Sequence, residues 1–261
     1  MNFLTSICFK DYTSSLKVDF QTTYNDIKRK EWTVENFNFH MAVSVMSSCK
    51  IEGEKLDIDS YIKHKLNRDD FPPNLLEKPN DLFKAYEFAS DNKLNLTSFL
   101  KAHSIATAHL LPEAKRGKIR TTNKIIKDSL TQKVQYEAAT SDKVKPEFDA
   151  FWKEIGILLY KSMSIEKIFY NAAMMHLIML KIQPFYDGNG RAARLLEKWF
   201  LASKLNSKAW FVNSEYFYYQ NLKDYYQNLD QLGGNYKDTN YENSTPFLLM
   251  LPEALIIEKE K

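Results

Sequence analysis

The stretch Gln183-Pro184-Phe185-Tyr186-Asp187-Gly188-Asn189-Gly190-Arg191-Ala192-Ala193-Arg194 narrows what this chain can fold into. The chain holds only 7 glycines, and two of them flank Asn189 here. An apolar, helix-like run precedes the stretch and another, Leu195 to Leu205, follows it. The spacing predicts a helix, a tight polar loop and a second helix whose N-terminus closes the loop. Glycine lets backbone amides come close to a ligand, and a helix start offers unpaired N–H groups at the positive end of its dipole. That combination suits an anion, phosphates above all. Arg191 and Arg194 share a face of the second helix and can hold further phosphate oxygens as forked donors. Asp187 supplies a hard oxygen ligand suited to Mg²⁺ carried by a nucleotide.

Two other loops with similar glycines do not fit. A calcium-binding EF-hand needs an oxygen ligand at the fifth position and Glu at the twelfth; those positions are Arg191 and Lys198. No phosphate-binding GxxxxGK[ST] run occurs. A plain tight turn remains the bland reading of Asp-Gly-Asn-Gly, and the two arginines with the flanking helices weigh against it. The net charge is +3, with 36 basic and 33 acidic residues interspersed. That balance argues against nucleic-acid or anionic-membrane partners. Cys8 and Cys49, without a CxxC, suit a reducing compartment. No leader-like segment opens the chain and no window reaches membrane-spanning length, so the expected location is the cytoplasm.

Along the chain, residues 1–31 give no clear pattern. A helix is expected from Thr33, a fair N-cap, to about Gly53, a plausible C-cap glycine. Pro72, Pro73 and Pro79 among charges mark 67–80 as a connection. The expected organisation is therefore an N-terminal segment, 1–80, and a core, 81–261. Helices are expected after Asn80, after Thr97, around Phe148 to Leu159, and from Ser164 to about Ile182. Residues 116–140 read as two short strands forming a hairpin. In 218–231 the run Tyr-Tyr-Gln-Asn-Leu occurs twice, seven residues apart, as if on one helical face. Phe247 to Ile257 is a last amphipathic or buried piece. The sum is a mainly α fold with one small hairpin.

The opening stretch resembles the signature of the Fic family, HxFx(D/E)GNGRxxR, at Phe185, Asp187, Gly188, Asn189, Gly190, Arg191 and Arg194. The resemblance implies a Fic-type helical bundle with a β-hairpin flap. It implies ATP and Mg²⁺ as cofactors and transfer of AMP to a hydroxyl of a target protein. Phe185 would anchor the core and Asp187 would bind the metal. Gly188, Asn189, Gly190 and Arg191 would hold the α- and β-phosphates, and Arg194 the γ-phosphate. Gln183 stands where the family has its general-base histidine. A histidine titrates near neutrality, whereas a glutamine amide only orients a hydroxyl. Losing a general base costs about 10²–10⁴-fold in rate, so either a slow transferase or a silent nucleotide- or partner-binding module is implied. His176, two turns upstream, reads as a packed histidine; His40, His64, His103 and His109 have no motif around them.

Upstream, Ser48-Cys49-Lys50-Ile51-Glu52-Gly53 resembles the family's inhibitory pattern [S/T]xxxE[G/N]. It implies that Glu52 competes with phosphate for Arg194, a carboxylate and a phosphate sharing one guanidinium. By the same resemblance the hairpin is a flap that pairs with a target peptide, Tyr226 stacks on the base, and a homodimer is common in the class. Read from their pattern alone, the repeated tyrosines serve equally well as core cover.

Overall fold

The computed structural model describes residues 7–29, 31, 33–127 and 131–256. Its centre is a helical hairpin. The helix α8 (Ile165–Ile182) descends, residues 183–188 turn, and α9 (Asn189–Lys204) returns alongside it. Ser164 caps α8 by accepting from Lys167 N, as its place in the sequence predicts. Almost the whole circumference of α8 is buried, including Phe169, Met175, His176 and Met179, so it is a core helix rather than an amphipathic cover.

Ahead of this hairpin come α1 (Phe9–Ser15), α2 (Phe20–Arg29), α3 (Val34–Ile51), α4 (Ile58–Asn67), α5 (Pro73–Asp91) and α6 (Leu96–Ala106). Thr33 caps α3 by accepting from Asn36 N. The helix α5 begins at Pro73 and carries Pro79 in its interior, so the connection expected at 67–80 and the helix start after Asn80 are both corrected. An interior proline costs a helix about 3 kcal/mol. Here Leu76, Pro79, Leu82 and Phe83 are all buried on one face, and that burial offsets the cost. The residue-80 boundary thus falls inside a continuous helix. The helix after it is capped by Asn95, two residues before the expected start.

The hairpin is short. Strand β1 (Ile125–Lys127) pairs antiparallel with β2 (Val134–Glu137). Glu137 also exchanges backbone bonds with the 234–236 segment. Next, α7 (Val144–Tyr160) starts within the expected break, with Pro146 in its first turn where a missing N–H is harmless. After α9 come α10 (Ser214–Gln220), α11 (Leu222–Asp230) and α12 (Thr245–Glu253). The duplicated run is therefore split between two helices by Asn221, not laid along one face. Its first-copy and second-copy tyrosines still meet, because Tyr218 and Tyr225 have ring centroids 5.3 Å apart. Ile257 lies outside the described residues. Among the described residues no helix is long and apolar enough to cross a membrane.

Candidate nucleotide site at the head of a buried helix

The turn between α8 and α9 is held from three directions. Gln183 ends α8 in the left-handed region (φ 51°), an unusual place for a side-chain-bearing residue. The buried Arg120 fixes it: Nε donates to Gln183 O at 2.7 Å and backbone N donates to Pro184 O at 2.9 Å. Phe185 is fully buried, stacked on His103 with centroids 3.6 Å apart. His103 Nε2–H donates to Asp187 O at 2.9 Å, while its Nδ1 accepts from Gly117 N at 3.0 Å. Those partners require the neutral imidazole, because Nδ1 must keep its lone pair. Burial pushes its pKa down to about 4, against weaker opposing pulls from Asp187. The Asn189 side chain closes the turn on itself, accepting from Phe185 N at 2.8 Å and donating to Phe185 O at 2.9 Å.

Each glycine of the loop has its own reason. Gly188 lies at φ 74°, and a Cβ there would run into Thr107. As N-cap of α9 it has no side chain, so no cap hydrogen bond covers the first turn, whose amides lack intrahelical partners. At Gly190 a Cβ would collide with the Glu52 carboxylate. The cradle that a phosphate could fill is thus shaped by glycine and approached by an anion of the chain itself.

That anion arrives through a helix C-cap. α3 ends at Glu52, and Gly53 follows at φ 85°. Gly53 N donates to Lys50 O and Glu54 N to Cys49 O, the paired bonds of a Schellman turn. Glu52 Oε1 accepts from Arg194 Nη2 at 2.6 Å. Ser48, one turn back, holds the same guanidinium, its Oγ accepting from Nε at 2.8 Å and its carbonyl from Nη2 at 3.1 Å. Burial pushes the Glu52 carboxyl upward, but Arg194 beside it, with Arg191 and Lys124, outweighs this and leaves it below the usual range. Arg194 is 1% exposed.

Behind Arg194 a polar chain runs into the core. Arg194 Nη1 donates to the Tyr225 hydroxyl at 3.4 Å, and that hydroxyl meets His176 Nε2 at 2.9 Å. His176 Nδ1 meets Glu197 Oε2 at 2.9 Å, and Tyr218 donates to the same oxygen at 2.8 Å. His176 is a fully buried, bonded histidine, as its position on α8 predicts.

A cavity of about 370 Å³ opens in front of these groups. Glu52, Gln183, Asp187, Asn189, Gly190, Arg194 and Tyr226 line it, so most of the residues singled out in the sequence converge. Gly188 and Ser48 stand behind the wall. Arg191 does not line the cavity; its Nη2 donates instead to Glu54 Oε1 at 3.1 Å. Gln183 Nε2 donates to Leu180 O at 2.9 Å, which leaves the amide oxygen as its second hydrogen-bonding group. Tyr226 is 45% exposed and donates to Ile51 O at 3.3 Å, whereas Tyr225 is buried.

Three residues were missed by sequence reasoning. Lys124 lines the cavity beside the hairpin and donates to Tyr186 O at 2.7 Å; burial pushes its ammonium down and Asp187 draws it back up. Lys181 fastens α8 to the end of α11 through Leu229 O at 3.0 Å, and burial pushes it down to about 8. His103 is separated from the loop it supports by 84 residues, so no local signal could have placed it there. Among the described residues no cluster of three or more His, Cys, Asp or Glu forms a metal cage. A Mg²⁺ carried by phosphates would need only one or two carboxylates, and Asp187 is available at the cavity.

Residues 93–201 match the family model described as the Fic/DOC family. That segment holds the hairpin and the loop, while α3 with Glu52 lies outside it. No curated protein matches the chain. Among solved structures, a Fic family protein from Desulfovibrio desulfuricans G20 is similar with a TM-score of 0.70 at 17% identity, over 99% of this chain and 74% of that one. A Fic domain containing signaling protein from Bacteroides thetaiotaomicron VPI-5482 gives 0.70 at 17%, over 92% and 94%. A fragment of the Fic-1 protein from C. elegans gives 0.59 at 15%, over 98% and 69%. Residues 93–201 are thus similar to that family, and the mainly helical fold is like that of these structures.

Proposed function

We propose that this chain is a Fic-type protein that binds ATP with Mg²⁺ and transfers AMP to a hydroxyl of a target protein, restrained by Glu52 and slowed by Gln183. One observation carries the reading: a carboxylate is seated between Gly190 and the buried Arg194 at the head of α9. An anion of the chain thus marks the place where a phosphate would bind. ATP with Mg²⁺, when bound, supplies the activated phosphorus and the pyrophosphate leaving group. The first-turn amides of α9 would hold phosphate oxygens, and Arg194 would hold the terminal phosphate once Glu52 withdraws. Asp187, with its side chain at the cavity wall, would take the metal. Tyr226 lines the same cavity, and a base would stack on it.

The flap supports a protein as acceptor. β1 pairs with β2 on one side, and its other edge has no strand partner among the described residues. Ile125 and Ile126 of that strand also line the cavity. A target segment added to this edge would bring a hydroxyl beside Gln183. Gln183 can accept that hydroxyl's hydrogen bond but cannot take its proton near neutral pH. The proton then passes to solvent as the new P–O bond forms and the bond to pyrophosphate breaks.

A second reading, a nucleotide- or partner-binding module without turnover, is favoured by Gln183 alone. Labelled ATP, Mg²⁺ and a lysate separate the two. Glu52→Gly is expected to label itself or a target weakly, and Glu52→Gly with Gln183→His strongly. Labelling only in the second protein would establish the silent module; labelling in neither would remove the transferase reading.

A further inference from the structure

Arg191 and Arg194 lie three apart on α9, yet they face different environments. Arg194 lines the cavity. Arg191 lies on the other side of the Schellman turn, where Glu54 Oε1 accepts from Arg191 Nη2 at 3.1 Å and from Lys78 Nζ of α5 at 2.9 Å. The Arg191 side chain is 5% exposed and that of Glu54 16%. The turn therefore carries two carboxylates on either side of Gly53. Glu52 enters the cavity onto Arg194, and Glu54 stays outside on two cations from two helices.

The two contacts respond differently to a ligand. A phosphate entering the cavity competes with Glu52 directly, because both want one guanidinium. It does not meet Glu54 in the same way, because Glu54, Arg191 and Lys78 lie outside the cavity lining. A lone exposed ion pair is a weak restraint. One carboxylate shared by two cations in a mostly covered pocket, on a turn already closed by backbone bonds, is a stronger one.

We infer that Glu54 is the anchor of the restraint: its pairing with Arg191 and Lys78 docks the turn against the head of α9 and keeps the Glu52 carboxylate at Arg194. Arg191 then acts on the restraint as a positioning residue. The direction of the effect on ATP rests on the nucleotide reading above; the docking itself does not.

Hydrogen exchange on the full chain tests the docking. The amides of Glu52, Gly53 and Glu54 donate to Cys49 O, Lys50 O and Cys49 O respectively. Glu54→Gln is expected to speed their exchange about tenfold while α8 and α9 keep their protection. Mg-ATP affinity should rise several-fold in the otherwise unchanged chain and not in a Glu52→Gly background, because Glu54 acts only through Glu52. Lys78→Gln should move both readouts the same way, to a smaller extent. Unchanged exchange at the turn, or an equal affinity gain in the Glu52→Gly background, would overturn the inference. If Glu54→Gln loosens α8 and α9 as well, Lys78→Gln, which leaves both carboxylates in place, decides by the same criteria. If even Glu52→Gly fails to bind ATP, the nucleotide reading falls, and the exchange rates alone judge the anchor.

Discussion

Gln183 and His103 show how single residues divide between chemistry and support. Gln183 keeps the backbone position a base would need, in a left-handed conformation locked by Arg120, but lacks the proton affinity. Replacing it with His in the Glu52→Gly protein should raise the transfer rate by about 10²–10⁴-fold. Radiolabel incorporation checks the rate, and ATP affinity should stay unchanged. His103 is a histidine with its pKa pushed down to about 4 by burial. The unfolded chain takes a proton near pH 6.5 and the native chain does not, so its contribution is present above pH 6.5 and lost as the pH falls towards 4. The loss should reach roughly 3 kcal/mol by then. Denaturant titrations between pH 7 and 4.5 should show this slope, and His103→Asn should flatten it.

At the scale of elements, the run Ser48 to Gly53 is a helix terminus. Gly53 sits at φ 85° with open space around a would-be Cβ, so its requirement is conformational. Gly53→Ala should cost about 1 kcal/mol and Gly53→Asn less, since Asn tolerates the left-handed region. Thermal melts of the two variants compare them directly. The sequence revealed elements wherever the signal was local. Thr33 and Ser164 are caps that announce themselves, and Asp-Gly-Asn-Gly joined to two arginines announces the loop. The start of α5 was hidden because Pro79 argues for a break, and only the burial of its face reverses that. Asn221 splits α10 from α11 without any proline or glycine to mark the place. The seating of Glu52 was legible from the family pattern; the diversion of Arg191 to Glu54 was not, because it joins residues 137 apart in the chain.

Across the whole molecule, α9 is a buried helix with a charged stripe. Arg194, Glu197 and Lys198 are each almost fully buried and each is paired. Lys198 Nζ lies 2.5 Å from Glu215 Oε2, both side chains fully covered, and Tyr86 donates to the other oxygen of Glu215 at 2.7 Å. Removing one member should leave an uncompensated charge: Lys198→Met should destabilise by about 3–5 kcal/mol, and Lys198→Met with Glu215→Leu should recover much of it. Chemical denaturation of the two variants measures the difference. These pairs hold α3 and α10 against α9, and so hold the end of α3, with Glu52, at the cavity.

Isothermal titration of Mg-ATP into the unchanged chain, Glu52→Gly, and Glu52→Gly with Arg194→Ala tests the central claim, that one guanidinium is contested by a carboxylate and a phosphate. Removing Glu52 should tighten binding about tenfold or more, because a charge-assisted competitor is lost, and that gain should collapse when Arg194 is also removed. Equal affinity with and without Glu52, or binding indifferent to Arg194, would contradict it.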